Sequence, residues 1–154
     1  METSAGVLLY RMQNRVLQVL LVHPGGPLWS AKDVGAWSIP KGLIDKDELP
    51  REAAFREFHE ETGCAPSGKC IPLAPVRLKS GKTILAWACE GVCDASAARS
   101  NTFTMEWPPH SGKKQQFPEV DRAGWFTIRE AREKINPGQV PLLRELEGKL
   151  VSEG

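Results

Sequence analysis

The amino-acid sequence predicts an α/β fold, and three observations carry that prediction. Two apolar runs, 4–10 and 16–23, are nearly continuous, which is typical of strands covered on both faces of a sheet. A helix with one apolar face is predicted for 50–62. Two further helices are predicted for 128–135 and 139–150, the second with its leucines on one side. Strands and helices therefore alternate along one chain.

The length and charge of the chain limit what it does. It has 154 residues, so we expect one domain over residues 1–154 with a core that needs no staples. Its net charge of +1 gives no bulk electrostatic reason to bind nucleic-acid polymers or anionic lipid. It contains no apolar run of about 18 residues and begins without the features of a signal peptide. We therefore expect a cytoplasmic protein with no membrane partner, either a monomer or a homodimer.

The first two strands are predicted to form a hairpin through 11–15 and to lead into a loop. His23 ends the second strand, where we expect the chain to emerge into solvent. The glycines and prolines of 24–35 predict a loop that carries Trp29 near Lys32. An aromatic ring on such a loop is a candidate for stacking on a base. The alternative is that Trp29 only covers the edge of the sheet.

The next strands are predicted to form a second hairpin, from 70–78 and 83–89. Pro72 and Pro75 lie within its first arm and lack the N–H that a central strand needs. The first arm is therefore predicted to be an edge strand or a bulged one.

A long excursion follows, from 90 to 118, with little helical periodicity. A segment of this length is usually a binding loop or lid, or else it is flexible. Only 102–107 alternates enough to predict a strand. The tip, with Lys113 and Lys114, is suited to phosphate or is simply solvated, and His110 on the same tip is an alternative catalytic base.

The four cysteines are predicted to be reduced and mostly buried. Cys64 and Cys70, and Cys89 and Cys93, are spaced differently from the usual pairs of zinc ligands. Cys89 also falls within an apolar strand, where an unpaired cysteine behaves as a small apolar residue.

The predicted helix 50–62 carries the strongest functional signal. Pro50 suits its first position, and Gly63 suits the position just past its last turn. At about 100° per residue, Glu57, Glu60 and Glu61 fall on one face. Like charges this close repel one another, and a hard cation such as Mg²⁺ offsets that repulsion. A solvated acidic face is the alternative.

With these residues in place, the segment from Gly42 to Cys64 resembles the signature of the Nudix hydrolases, the Nudix box. Every defined position is filled, namely by Gly42, Glu48, Arg56, Glu57, Phe58, Glu60, Glu61, Gly63 and Cys64. The resemblance implies a Nudix-type α/β/α sandwich with a mixed β-sheet. The acidic helix would cover one face and the C-terminal helices the other.

The resemblance also implies roles for individual residues. The expected cofactor is Mg²⁺ or Mn²⁺. Arg56 would form an orienting ion pair with Glu48, and Glu57 would act as ligand or water-activating base beside the catalytic Glu60. Glu119 precedes a tryptophan in the way that an additional acid does in many Nudix enzymes, with Asp121 as its competitor. The implied metal ligands are Gly42 through its carbonyl, Glu57, Glu60, Glu61 and Glu119.

The implied activity is metal-dependent cleavage of a diphosphate linkage in a small nucleoside-diphosphate-type or dinucleoside polyphosphate substrate. Pro40-Lys41-Gly42 stands where many Nudix proteins have Pro-Gly-Gly. This variant is similar to that of the dinucleoside polyphosphate and diphosphoinositol polyphosphate hydrolases. Lys41 and Trp29 are the candidate substrate-binding residues. The alternatives are a nucleoside triphosphate pyrophosphatase that cleans the nucleotide pool and a non-catalytic nucleotide-binding module.

Overall fold

The computed structural model describes residues 2–66 and 68–153. The strands are β1 (Thr3–Gln13), β2 (Val16–Pro24), β3 (Lys41–Leu43), β4 (Cys70–Pro72), β5 (Val76–Arg77), β6 (Thr83–Glu90), β7 (Thr102–Glu106), β8 (Lys114–Pro118) and β9 (Val120–Thr127). The α-helices are α1 (Pro50–Thr62), α2 (Ile128–Lys134) and α3 (Val140–Glu153). Short 3₁₀ turns lie at Ala95–Ala97 and Pro137–Gln139.

The main sheet is organised around β1. Its strands follow the order β4-β6-β1-β2-β9, with β3 also paired to β1 and β5 also paired to β6. The pairing of β1 with β6 is parallel, whereas β1 pairs antiparallel with both β2 and β3. The prediction of a mixed sheet is confirmed.

Helices cover both faces of this sheet, as predicted. On one face α1 buries Ala53, Ala54 and Phe58 against Val7 and Leu20 of the sheet. On the other face, α2 and α3 pack their apolar residues against the sheet, including Leu142, Leu143 and Leu146, all of which are fully buried. Because β1 and β2 are buried on both sides, their side chains form the near-continuous apolar runs seen in the sequence. The α/β/α sandwich is confirmed.

The predicted edge hairpin forms in an interrupted way. Both β4 and β5 pair antiparallel with β6, and 73–75 separates them. Proline has no N–H to donate to a ladder, so Pro72 and Pro75 limit each piece to two or three residues.

The excursion between β6 and β9 is built around an antiparallel two-stranded ribbon. The predicted strand at 102–107 forms as β7 and pairs with β8, with Phe103 opposite Phe117. The sequence did not predict β8, because Lys-Gln-Gln-Phe-Pro shows no run of alternating apolar residues. This ribbon is a separate sheet from the one centred on β1.

The prediction that the cysteines are reduced is wrong. Cys64 is bonded to Cys93 and Cys70 to Cys89. Cys70 lies directly opposite Cys89 in the pairing of β4 with β6, so the sheet register brings these two together. The prediction rested on the spacing of the cysteines along the chain, and this spacing does not reveal the register of the sheet.

None of the helices in the described residues is both long enough and apolar enough to cross a lipid bilayer.

Candidate active site

The acidic helix α1 is fixed by its two ends and its buried face. Pro50 occupies the first turn, and Gly63 ends the helix with a φ of 78° while its N–H donates to the carbonyl of His59 at 2.8 Å. Positive φ at this position is the conformation that glycine tolerates best. Since Phe58 and Thr62 are buried, the face that bears Glu57 and Glu60 has a fixed direction.

Arg56 ties the carboxylates of this helix to the loop before it. Its guanidinium donates two bonds to Glu48, from Nε at 2.8 Å and from Nη2 at 2.9 Å. Nη1 donates to Glu57 at 2.8 Å and to Glu60 at 3.1 Å, and Nη2 also reaches the carbonyl of Leu43 at 3.1 Å. The expected pair of Arg56 with Glu48 is therefore present and extends to two more carboxylates. A planar fork of five N–H groups suits such a set.

The charges of this network alter the acidity of its members. Hydrogen bonding to Arg56 lowers the pKa of Glu48 to about 2, and the bonds with Glu48 raise the pKa of Arg56. Glu57 responds differently, because its burial raises its pKa although Arg56 lowers it in part. Glu48 therefore serves as a permanent anion, while Glu57 has a greater affinity for a proton.

Glu61 is the most strongly perturbed carboxylate of the helix. Its Oε1 accepts the backbone N–H of Lys41 at 3.3 Å. Burial raises the pKa of Glu61 to about 8, against the smaller opposing effects of Lys41. Burial also lowers the pKa of the Lys41 ammonium group. A carboxyl group whose acidity is altered this strongly by burial is a common feature of functional sites.

Gly42 lies where no other residue fits without moving a carboxylate. A Cβ atom on Gly42 would lie 2.1 Å from the carboxyl group of Glu57. The backbone of β3 therefore approaches the acidic face of α1 directly, and this glycine is one that the structure requires.

These groups line one cavity of about 350 Å³. The sequence-predicted metal ligands all lie around it, together with the predicted phosphate-binding Lys41. Its lining residues are Lys41, Gly42, Leu43, Glu57, Glu60, Glu61, Asn101 and Glu119. The structure thus brings together residues from β3, α1 and the segment before β9.

Glu119 connects this acidic cavity to its neighbours. It also lines a cavity of about 250 Å³ beside Ser38, Lys41 and Glu61, and a more apolar one of about 440 Å³. Its competitor Asp121 points elsewhere, and its Oδ1 accepts a hydrogen bond from Nδ1 of His23 at 2.8 Å. Of the two acids, only Glu119 lines the acidic cavity.

Trp29 lies in the apolar cavity, not in the acidic one. Its side chain is partly exposed at 39%, and the Nζ of Lys32 lies 4.8 Å from the centroid of its ring. Phe103 and Met105 of β7 form another part of the same wall. No pattern in the sequence indicates that these two residues face Trp29, because the 24–35 loop and the ribbon lie far apart along the chain.

His59 and His110 do not line the acidic cavity. His59 is exposed on α1, and His110 is exposed at the tip of the ribbon, with a φ of 63°. His23 was predicted to mark an exit into solvent, and this is wrong because its side chain is fully buried. Its Nε2 lies 2.6 Å from the carbonyl of Lys32, so it fastens the loop to the end of β2.

The donor atoms around the acidic cavity suit a hard divalent cation. Carboxylate and carbonyl oxygens are the ligands that Mg²⁺ and Mn²⁺ prefer. As they stand, the described side chains contain no group of three His, Cys, Asp or Glu residues gathered closely enough to hold a metal. Arg56 accounts for part of this, since it occupies Glu57 and Glu60. The residue types fit the ion, and the carboxylates would have to turn towards it.

Asn101 is a residue of the cavity that the sequence did not single out. Its N–H donates to the carbonyl of Glu60 at 3.3 Å, and its own carbonyl accepts the N–H of Glu119 at 2.8 Å. It therefore joins the end of α1 to the segment that carries Glu119. No local pattern marks it, because both of its partners are distant in the chain.

The chain has an acidic helix packed on a mixed sheet, and a glycine of β3 lies against the carboxylates of that helix. These features define the class of protein. The family model described as NUDIX domain matches residues 2–146, and the chain belongs to that family. The resemblance noted in the sequence is thus confirmed.

Two curated relatives are named RNA pyrophosphohydrolase. The one from Aeromonas hydrophila is 28% identical over 120 residues, which are 71% of this chain and 67% of the relative. The one from Hahella chejuensis is 44% identical over 50 residues, and the matched part is 31% of each protein. The chain thus spans about a third of the length of the second relative.

Solved structures with the same fold include one from Caenorhabditis elegans and one from Shewanella oneidensis. A Caenorhabditis elegans Ap4A hydrolase, solved as a binary complex, is 21% identical with a TM-score of 0.66, covering 99% of both chains. The NUDIX domain of Shewanella oneidensis NrtR, solved with ADP ribose, is 18% identical with a TM-score of 0.65, covering 96% of this chain and 87% of the other. At these identities the similarity establishes the fold.

Proposed function

We propose that this protein hydrolyses a diphosphate linkage in a nucleoside-diphosphate-type or dinucleoside polyphosphate substrate, with Mg²⁺ or Mn²⁺ as cofactor. One observation carries the proposal. A single cavity is lined by the whole set of oxygen donors expected of such a site and by one lysine, Lys41.

The proposed metal ligands are the carbonyl of Gly42 and the carboxylates of Glu57, Glu60, Glu61 and Glu119. A bound divalent cation supplies charge neutralisation for phosphate oxygens and lowers the pKa of a coordinated water. Phosphoryl transfer asks little more of a protein than positioning and electrostatic stabilisation.

The surrounding residues then have distinct tasks. Arg56 orients Glu57 and Glu60, because it donates to both while Glu48 holds the guanidinium from the other side. Glu57 is the proposed base towards water, since burial raises its pKa from the ordinary range towards the pH at which it would accept a proton. Lys41 binds phosphate from the opposite wall of the cavity.

Lys41 favours a substrate with an extended phosphate chain. Lys41 lines both the acidic cavity and the smaller cavity beside Ser38, so one basic residue borders two neighbouring spaces. A nucleoside triphosphate pyrophosphatase is the alternative activity, and it breaks the same kind of bond. A non-catalytic binding module is a third possibility, which the complete set of cavity carboxylates disfavours.

The test is hydrolysis by the purified chain with Mg²⁺ or Mn²⁺ present and with a chelator as control. The substrates are nucleoside triphosphates, dinucleoside polyphosphates, nucleotide sugars, inositol pyrophosphates and RNA with a 5′-triphosphate, with each product identified. We expect metal-dependent release of nucleotide and phosphate products from small nucleotides. Tight nucleotide binding without turnover of any substrate would instead establish a binding module.

The cytoplasmic location expected from the sequence also stays a proposal. The two disulfides count against it, because such bonds persist mainly in oxidising compartments. Counting free thiols in cells lysed directly into an alkylating reagent decides the matter. Four alkylated cysteines would indicate a reducing compartment, and none would indicate an oxidising one.

A further inference from the structure

The apolar cavity next to the acidic one has walls from two separate parts of the chain. One wall is the 24–35 loop, with Leu28 and Trp29, and the other is β7, with Phe103 and Met105. Phe103 and Met105 are two residues apart on a strand, so they point to the same side of the ribbon. A cavity of about 440 Å³ is within the range of small-ligand sites.

The backbone of the loop is shaped for close contact with the ribbon. A Cβ on Gly25 would lie 2.0 Å from the carbonyl oxygen of Pro118, and one on Gly26 would lie 2.9 Å from the ring of Phe103. The φ of 93° at Gly26 also excludes most other residues. The two glycines therefore let the loop and the ribbon meet as walls of one space.

Hydrogen bonds to neighbouring segments also hold the 24–35 loop in place. The buried ring of His23 lies between the carbonyl of Lys32 at 2.6 Å and the carboxylate of Asp121 at 2.8 Å. The N–H of Gly25 donates to the carbonyl of Glu119 at 2.9 Å. Trp29 is therefore presented on an anchored loop, although Leu28 and Trp29 leave 60% and 39% of their surface exposed.

The apolar cavity adjoins the acidic one at Glu119, which lines both. A ligand that spans the junction would have a phosphate chain on one side and a flat apolar group on the other. Aromatic side chains bind the faces of nucleobases by stacking, which is tolerant of the base concerned. An inositol ring has no such face and carries hydroxyl or phosphate groups all round.

Groups that could read the identity of a base are scarce in this space. Of the described side chains that line it, only Glu119 is charged, and it is a proposed metal ligand. Two of the backbone groups nearby are already engaged, since the N–H of Gly25 donates to the carbonyl of Glu119 and the carbonyl of Gly26 accepts from Trp29 and Ser30. An apolar pocket distinguishes similar ligands by only about 10- to 200-fold, whereas a hydrogen-bonding pocket reaches about 10⁴-fold.

We infer that this apolar cavity binds the aromatic base of a nucleotide substrate and selects for the presence of a base rather than for its identity. The inference deepens the proposed function and rests on it for the word substrate. Purine and pyrimidine nucleotides are accepted within about tenfold of one another in kcat/KM, whereas inositol pyrophosphates and inorganic tripolyphosphate are poor substrates.

Binding is tested first, without hydrolysis, by ligand-observed NMR with AMP and CMP on the full chain in chelator. The variants are Trp29→Ala, Trp29→Phe and, as a matched control on the same loop, Val34→Ala, whose side chain is 73% exposed and lies outside the cavity lining. We expect base resonances to show saturation transfer in the wild type, in Trp29→Phe and in Val34→Ala. In Trp29→Ala we expect weaker transfer and a dissociation constant raised about tenfold.

Kinetics then test the selection. With Mg²⁺, Trp29→Ala should raise KM for nucleotides about tenfold with little change in kcat, whereas the control Val34→Ala should keep both constants within about twofold of the wild type. Phe103→Ala should raise KM in the same way as Trp29→Ala by removing the opposite wall. Equal saturation transfer in Trp29→Ala and the wild type would overturn the inference, as would a preference for one base above about 10³-fold. Nucleotide binding that depends on Trp29, with no turnover of any substrate, would support the inference and refute the proposed function.

Discussion

The acidic and apolar cavities meet at Glu119 yet are built in opposite ways. The acidic one takes most of its wall from one continuous segment, 41–61, and its groups are held by ion pairs around Arg56. The apolar one takes its wall from 24–29 and from β7, and its groups are held by close packing at glycines. The acidic cavity is defined by the placement of its charges, and the apolar cavity is defined by its shape.

In the proposed function, this difference assigns bond cleavage and substrate choice to separable parts of the chain. Changes in the acidic cavity should therefore act on kcat, and changes in the apolar cavity should act on KM. Each of the following predictions either breaks that separation or makes it sharper.

The largest effect is expected from Glu61→Gln, which keeps the shape of the side chain and removes its charge. We expect kcat to fall by at least about 10²-fold, because an electrostatic contribution to the transition state is lost. AMP binding in the apolar cavity should stay within about twofold of the wild type. Glu52→Gln, an exposed carboxylate on the same helix, is the control and should keep full activity. Wild-type turnover of Glu61→Gln at saturating Mg²⁺ would contradict the assignment.

Arg56→Lys should have the next largest effect. Lysine keeps the charge but cannot bond Glu48, Glu57 and Glu60 together, so we expect kcat to fall about 10- to 100-fold. Because Arg56 lowers the pKa of Glu57, its loss should also move the acid limb of the kcat profile to higher pH. Arg51→Lys on the same helix is the control. An unmoved pH profile with a lower melting temperature would show that Arg56 acts only on stability.

A pH-dependent stability is expected from Glu61 in the metal-free protein. Burial raises the pKa of Glu61 to about 8 from an ordinary value of 4.5, so this group stabilises the fold at low pH and loses that contribution as pH rises through 8. The limiting slope is about 1.4 kcal/mol per pH unit. Urea unfolding between pH 5 and 9 in chelator measures it, and the slope should be smaller in Glu61→Gln. Identical slopes in the two proteins would refute the raised pKa of Glu61.

The smallest effect is expected from His110→Ala. His110 is exposed at the ribbon tip and does not line any of the three cavities that meet at Glu119. We therefore expect kcat and KM to stay within about twofold of the wild type. A tenfold loss of kcat would revive His110 as a base delivered by the ribbon and would join the two regions that we treat as separate.

Local signals account for the parts of the fold that the sequence predicted well. Pro50 and Gly63 bound α1 because the first and last turns of a helix have residue preferences that neighbours alone reveal. The capping box of Thr127 and Glu130 starts α2 for the same reason, with both of its hydrogen bonds present.

Long-range pairing accounts for what the sequence missed. The cysteines form disulfides because β4 pairs with β6 and because the segment after α1 meets the segment after β6, and nothing near Cys64 or Cys93 in the sequence indicates these contacts. His23 is buried by a carbonyl nine residues later and a carboxylate from β9. Of the residues that line the apolar cavity, the sequence indicated Trp29 but not Phe103. Phe103 lies on β7, which pairs with the unpredicted strand β8.

The strands that pair with β1 are synthesised at different times. Strand β1 can close the hairpin with β2 as soon as both have been synthesised, but its parallel partner β6 begins at Thr83, which pairs with Thr3. The acidic helix lies between those two residues in the chain and packs on both strands. Parallel pairing over such separations is slow to form. The nascent chain therefore contains the carboxylates of α1 before β6 has been made and has paired with β1, and Glu119 follows later still.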